Sequence, residues 1–247
     1  MSGPLLSASR THADNVRRLF SDIAHRYDLI NDVQSFGLHR RWKRRVACLA
    51  EAQPGVRALD VCCGTGDLAF ALAARGAQVV GLDFNAPMLE RAVRRARAFG
   101  AARDGAPRRP NPVFVLGDAL AVSFPDATFD VVTVGYGLRN LTDWRAGLRE
   151  MVRVARPGGR VLVLDFGKPS WPPWRALYLA YLKGVVPALG WALCGNAGAY
   201  AYILESLHRY PAQEGVAAAM REFGLDPVRV ENLLGGAMSI HLGIKPR

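Results

Sequence analysis

Cysteine is scarce and poorly spaced: four occur in 247 residues (Cys48, Cys62, Cys63 and Cys194), and no two form a C-x-x-C pair. That argues against a zinc site or a disulfide scaffold, and no metal is expected. The vicinal Cys62-Cys63 cannot easily bridge itself, so both should pack as small hydrophobes. No apolar run reaches the about 20 uninterrupted residues of a spanning helix. The nearest, Trp171 to Tyr202, is broken by Lys183, Gly184, Pro187 and Gly190. The start lacks a charged segment followed by an apolar one, so a cytoplasmic rather than a secreted protein is expected. No repeat recurs at a solenoid period. Acid is in deficit, with 21 Asp and Glu against 32 Lys and Arg, a net charge of +11. Such a balance suits nucleic acid, an anionic membrane surface or an acidic substrate; a merely solvated basic helix face accounts for it equally.

What is present is organised around Ala58-Leu59-Asp60-Val61-Cys62-Cys63-Gly64-Thr65-Gly66-Asp67. A short apolar strand runs into a glycine turn and then into an apolar helix, the pattern of a nucleotide-type cradle where helix amides face a ligand. It is neither a dinucleotide fingerprint, for want of a third glycine, nor a phosphate loop, for want of Gly-Lys-Ser/Thr. A second strand, Val79 to Asp83, ends in an acid where such folds place a carboxylate against ribose hydroxyls.

Upstream, an amphipathic helix capped by Asp14 is expected through Val16, Leu19, Phe20 and Ile23. Tyr27 to His39 is aromatic, polar and aperiodic, either a lid or a packed arm, and precedes a basic helix from Arg40 to Ala50. Downstream, strand and helix alternate. A helix over Ala86–Phe99 carries Met88, Leu89, Ala92 and Val93 on one face, and strands follow at Val113–Leu116 and Val131–Val134. Asp143 caps a helix from Trp144 to Ala155, which Pro157-Gly158-Gly159 ends before a strand over Arg160–Asp165. Five strands between helices predict an α/β fold, a mostly parallel sheet covered on both faces. Trp171 to Tyr202 is open to three readings: a helical lid for a greasy substrate, a membrane-touching surface, or core. A last helix, Pro211–Phe223, and strands at Val228–Leu233 and Ala237–Ile244 add an antiparallel strand at the end. The expected division is a helical arm or lid over 1–50 and a main domain over 51–247 with an apolar insert at about 171–205.

These residues carry a resemblance. From about Asn15 to Pro246 the chain resembles the ubiquinone/menaquinone biosynthesis C-methyltransferases, a branch of the class I S-adenosylmethionine-dependent enzymes. Its particular elements are Tyr27-Asp28-Leu29-Ile30-Asn31-Asp32 with Ser35 to Arg40, Gly135-Tyr136-Gly137-Leu138-Arg139-Asn140, and Arg156-Pro157-Gly158-Gly159 with Asp165-Phe166. The resemblance implies a Rossmann-like, doubly wound sheet of seven strands. It implies C-methylation of a prenylated demethyl-quinol of the menaquinone or ubiquinone type, with S-adenosylmethionine as cofactor.

Carried onto this chain, Gly64, Thr65 and Gly66 take the methionine end of the cofactor, with the Thr65 hydroxyl near its carboxylate. Asp83 accepts the ribose hydroxyls, Asp118 and Ala119 hold the adenine, and Gly135 lies against the sulfonium; Asp67 has a cofactor or a turn role. A ring carbon attacks a sulfonium methyl only when a neighbouring hydroxyl is close to ionised, so the reduced quinol is the acceptor and its oxyanion needs support. Arg139 suits that task unless it pairs with a structural carboxylate such as Asp143. Tyr136 and Asn140 orient the ring hydroxyls, and Asp165 accepts a proton or merely caps its loop. Tyr27 and Asn31 close over the cofactor, while Trp174, Tyr178 and Tyr181 lie beside the prenyl tail; His241 reads as a strand histidine. Expected partners are the quinol, an anionic membrane touched peripherally and a second copy of the chain, with no nucleic acid. Two rival functions are a methyltransferase for another aromatic or nucleic-acid acceptor and a non-catalytic cofactor-binding scaffold. Against a nucleic-acid amino group as acceptor, Gly135-Tyr136-Gly137-Leu138 stands where Asp/Asn-Pro-Pro-aromatic is usual.

Overall fold

Alternation along the strands sets the architecture. Leu59 and Val61 join one buried cluster while Ala58 joins another, and Val161 and Val163 are likewise divided from Leu162 and Leu164. Strands apolar on both faces must be covered on both faces, as a parallel sheet requires. The computed structural model describes residues 14, 16–18, 21, 27–99, 109–194 and 198–247, with backbone alone for Tyr27, Ile30, 193–194 and 198–202. Its sheet has seven strands: β1 (Arg57–Val61), β2 (Gln78–Asp83), β3 (Val113–Leu116), β4 (Phe129–Gly135), β5 (Ala155–Phe166), β6 (Val228–Leu233) and β7 (Met238–Ile244). Their order is β3-β2-β1-β4-β5-β7-β6. The pairs among β1 to β5 are parallel, and β7 enters antiparallel between β5 and β6. The order reverses beside β1, so the crevice at its carboxyl end is the expected ligand seat.

Helix ends follow the residues that cap them. Asp143 Oδ1 accepts the Ala146 amide at 2.9 Å to start the helix Trp144–Val154. That helix ends one residue earlier than expected, because β5 already begins at Ala155 and Arg156 to Gly159 form an excursion between the pairs Phe129/Ala155 and Val131/Arg160. In the helix Ala86–Phe99, Met88, Leu89 and Ala92 are buried but Val93 is 41% exposed, so the apolar face is narrower than expected.

Two segments differ more. Tyr27 to Gln34, the first part of the Tyr27–His39 segment read as aperiodic, is an eight-residue helix. A helix this short is not stable alone; tertiary bonds hold it, including Tyr181 hydroxyl to Gln34 carbonyl at 2.7 Å. The apolar insert does not stop at Lys183 and Gly184. Helix Pro172–Ala180 passes through a π-turn, Tyr181–Val185, into helix Val186–Cys194. The wider turn absorbs the interruption without ending the element. Of the expected amino-terminal helix, Asp14, residues 16–18 and Ser21 are helical, while Leu19, Phe20 and Ile23 lie outside the described residues. Among the described residues no helix is long and apolar enough to cross a membrane.

Candidate active site

β1 runs out over Cys62, whose φ of 54° is left-handed, into Gly64 and Gly66, and the cradle helix Asp67–Ala73 comes next. At the carboxyl ends of β1, β2 and β4 the turn opens on a cavity of about 430 Å³, lined by Gly64, Asp83, Asp118, Ala119 and Gly135 among others. A Cβ on Gly64 would meet no protein atom within 4 Å and would intrude on this space. Gly66 serves a different end. A Cβ there would lie 2.7 Å from the Phe114 ring and 2.9 Å from Phe70, so its lack of a side chain lets the cradle helix pack on β3.

Asp83 Oδ2 accepts the Gly64 amide at 2.7 Å and Oδ1 the Asn85 amide at 2.9 Å. Each oxygen retains acceptor capacity, which suits a diol. Burial pushes the Asp83 carboxyl up to about 6 despite those amides. Asp60 sits near the end of β1 with Oδ1 on the Thr133 hydroxyl at 2.9 Å and no hydrogen-bond partner for Oδ2; burial pushes it up to about 7. An open glycine turn and an acid-ended strand that offers a diol seat on one cavity fit S-adenosylmethionine, whose ribose carries two hydroxyls. Asp118 lines the same cavity, with Oδ1 on the Leu120 amide at 2.9 Å.

Beyond Gly135, Tyr136 takes a left-handed φ of 63°, costly for a side chain of its size. Its carbonyl anchors the succeeding turn, accepting Arg139 Nη1 at 2.6 Å and Asn140 Nδ2 at 3.1 Å. Arg139 Nη1 also donates to Asp165 Oδ1 at 2.9 Å, and the Arg139 amide to Oδ2 at 3.2 Å. The two expected catalytic groups are thus one ion pair, with side chains 5% and 0% exposed. Asp143 caps its helix and is not the partner of Arg139. Asp165 also accepts the Phe166 amide at 2.8 Å, so it is committed as an acceptor and poorly placed to take a substrate proton. Arg139 stacks 4.5 Å from the Phe166 ring centroid, and its Nε and Asn140 Oδ1 are buried without a hydrogen-bond partner. Tyr136 and Asn140 line the cavity.

Other expected residues are placed elsewhere. The Thr65 hydroxyl donates to Asp28 Oδ1 on the arm helix at 2.7 Å instead of facing the cavity. Asp67 is paired with cations of the protein itself. Burial alone would raise its pKa, but His39, Lys43 and Arg95 hold it far below the usual carboxylate range, with Lys43 at 2.9 Å and Arg95 at 2.6 Å. Asn31 is engaged inside its own helix, accepting from Gln34 Nε2 at 2.8 Å, and the Tyr27 side chain lies outside the described residues. Trp174, Tyr178 and Tyr181 spend their polar atoms on the carbonyls of Leu234, Ala237 and Gln34, at 2.9, 3.1 and 2.7 Å. They tie the insert to the hairpin and the arm. His241 is buried in β7 with Nε2 2.9 Å from the Gln213 carbonyl, as a strand histidine.

Sequence reading missed Arg17 and Asn85. Asn85 Nδ2 donates to the Arg17 carbonyl at 3.0 Å while its Oδ1 accepts the Met88 amide at 3.1 Å, and both residues line the cavity. Asn85 before Ala86-Pro87 carries a helix-start signature that marks it as a cap; nothing local marks Arg17. Among the described residues no cluster is suited to a metal.

The profile of the ubiE/COQ5 methyltransferase family matches residues 8–245. The chain is 44% identical to the demethylmenaquinone methyltransferase of Thermus thermophilus, over 92% of this chain and 100% of that one. It is 38% identical to the ubiquinone/menaquinone biosynthesis C-methyltransferase UbiE of Cronobacter sakazakii, over 96% and 93%. In fold it is similar to magnesium protoporphyrin IX methyltransferase from Synechocystis, solved with bound S-adenosylmethionine: TM-score 0.56, 17% identity, over 84% and 79% of the two chains.

Proposed function

The chain belongs to the ubiE/COQ5 methyltransferase family, and from that membership we propose that it methylates a ring carbon of a prenylated demethyl-quinol, with S-adenosylmethionine as donor. Beside that membership, the observation that carries the reading is the cavity lined by Gly64, Asp83, Asp118 and Gly135, with Tyr136 and Asn140 in its wall; the buried Arg139–Asp165 pair belongs to the same turn. Residues 51–247 act as the methyl-transfer unit, 1–50 as its arm and about 171–205 as its apolar insert.

The bound cofactor supplies an electrophilic methyl on a positive sulfur. Asp83 holds the ribose, Asp118 and Ala119 the adenine, and Gly64 and Gly135 let the donor lie against the backbone. Arg139 supports the negative charge on the quinol oxygen as the adjacent carbon attacks, and Asp165 keeps the guanidinium oriented and charged. Tyr136 and Asn140 align the ring. Against a donor so held, the ring carbon would take the methyl from sulfur, and the ring proton would leave to water, restoring the aromatic quinol. With Asp165 committed to Arg139, solvent is the simplest acceptor.

A prenylated quinol resides in a bilayer, so the enzyme meets it as a peripheral visitor to an anionic surface. Support comes from the exposure of Phe36, Trp171, Leu177 and Trp191, at 81, 65, 61 and 68%, together with the +11 charge. The deciding experiment incubates the protein with methyl-labelled cofactor and a panel of reduced demethyl-quinols, with products identified by mass spectrometry. Label on a ring carbon is expected. Label on oxygen, label on added RNA, or no transfer to any quinol overturns the reading.

A further inference from the structure

A second cavity lies away from the methyl-transfer site, on the flank where the loop after β5 meets the helix Ala212–Glu222 and the β6–β7 turn. It encloses about 510 Å³, within the range of small-ligand sites, and Lys168, Arg175 and Arg221 stand around it with Glu214 as its one acid. Neighbouring arginines are occupied, Arg145 by Glu222 and Arg209 by Glu205. Lys168, Arg175 and Arg221 form no ion pair among the described residues. Arg175 donates to the carbonyls of Pro169 and Ser170, which fixes its guanidinium without neutralising it. Burial lowers the Lys168 ammonium pKa with no carboxylate to offset it.

The floor is rigid. Gln213 accepts the Lys168 amide at 2.8 Å and donates to Asn232 at 3.2 Å and the Gly236 carbonyl at 2.9 Å. A Cβ on Gly167 would lie 2.3 Å from the Gly236 carbonyl, so the two loops meet backbone to backbone. A fixed polar floor beneath three cations and one anion recognises a compact group of negative charge with several acceptor oxygens, the chemistry of a phosphate ester.

One more feature selects the source of that phosphate. Trp171, 65% exposed, stands one turn before Arg175 at the start of the same helix, its carbonyl accepting the Arg175 amide at 2.9 Å. An exposed indole next in sequence to Ser170, which lines the cationic groove, is the pairing found where proteins meet lipid headgroups, the ring at the interface and the cations on the phosphate. We propose that the groove between Lys168, Arg175 and Arg221 is a seat for an anionic phospholipid headgroup, which fixes how the enzyme lies on the bilayer. This rests on the peripheral-membrane reading above and adds a defined site to it.

The test uses the full chain and vesicles of phosphatidylcholine, alone or mixed with phosphatidylglycerol, in a flotation assay. Lys168→Gln with Arg221→Gln should lower partition onto the mixed vesicles on the order of 30-fold, as expected for two surface cations. Glu214→Gln should raise it. Turnover on a short-tailed quinol in solution, an index of intact fold, should be unchanged in both. Unchanged partition in the double variant, with Trp171→Ala still weakening it, overturns the headgroup seat while leaving the membrane reading intact. Absence of wild-type binding to either vesicle overturns both. Tight binding of inorganic phosphate, lost in the double variant but without vesicle binding, assigns the groove to a free phosphate compound and overturns the lipid assignment.

Discussion

Asp165 and Arg139 show how burial changes the meaning of a residue. In sequence one is a base and the other an oxyanion holder, but at 0% and 5% exposure neither is stable without the other. Removing one partner of a buried pair strands a charge at a cost of about 3–5 kcal/mol. Arg139→Ala should therefore lower both stability and turnover, which confounds the two. Arg139→Gln with Asp165→Asn removes both charges and keeps hydrogen-bonding shape. Its melting temperature should return toward wild type while turnover stays roughly 100-fold or more below it and cofactor affinity shifts only a few-fold. Recovery of turnover along with stability would reduce the pair to scaffolding. Asp83 yields a pH prediction. Its folded pKa, pushed up to about 6 from 3.8, means that between those two pH values the free protein holds a proton there that the unfolded chain has lost. Stability of the free enzyme from this group is full below the unfolded pKa and is lost as pH rises through about 6, and Asp60 extends that loss to about 7. Cofactor binding has the opposite sign, because ribose hydroxyls need the ionised carboxylate: affinity should rise through about pH 5 to 6 and level off above. Calorimetry across that range should show the rise in wild type and not in Asp83→Asn; a flat wild-type profile removes Asp83 from the ribose role.

At the scale of elements, the strand-turn-helix cradle and the second acid-ended strand were legible because their signals are local: apolar runs, glycines where φ is positive, a terminal Asp. The arm helix was not. Its helical spacing, Leu29 and Ile30 with Val33, is too short to stand out in sequence, and much of its order comes from residues outside it. Asp28 takes the Thr65 hydroxyl at 2.7 Å and lies 3.4 Å from Arg95, while Asp32 is held by Arg40 at 2.7 Å. The same long-range bond explains why Thr65, correctly placed in the cradle, points away from the cavity. Long-range pairing likewise makes Asp67 a hub for Lys43 and Arg95. Gln213 and Asn232 at the second cavity had no sequence signal at all, since that groove is assembled from separate loops. Asp28 supplies the test of the arm. Asp28→Ala removes a hydrogen bond to a charged group, worth about 1.5–3 kcal/mol. Amides of Tyr27–Gln34 should exchange on the order of 10-fold faster or more, while those of β1 and β4 keep their protection. Equal acceleration in arm and sheet would mean that the arm is part of the global core.

For the whole molecule, the question is where a bilayer-borne substrate enters. The aromatics that sequence placed beside the tail, Trp174, Tyr178 and Tyr181, have their polar atoms bonded to backbone carbonyls, which leaves only their ring faces for an apolar contact. The apolar surface left open belongs to other residues. The arm helix packs against helix Val186–Cys194. Phe36, just past the end of the first, and Trp191, on the second, are 81% and 68% exposed. Burying an aromatic side chain in an apolar phase is worth about 1.5–3 kcal/mol, so two of them together outweigh any one surface charge. Apolar burial is insensitive to modest salt, whereas headgroup attraction decays within a Debye length of about 10 Å at 0.1 M. The two contributions can therefore be separated. Phe36→Ser with Trp191→Ser should leave turnover on a short-tailed quinol unchanged and reduce turnover on a long-tailed quinol in vesicles by roughly 10-fold or more. Raising salt should reduce the wild-type vesicle rate by a smaller factor. Equal activity of the double variant on both tails, at every salt concentration, would show that this surface has no part in reaching the substrate.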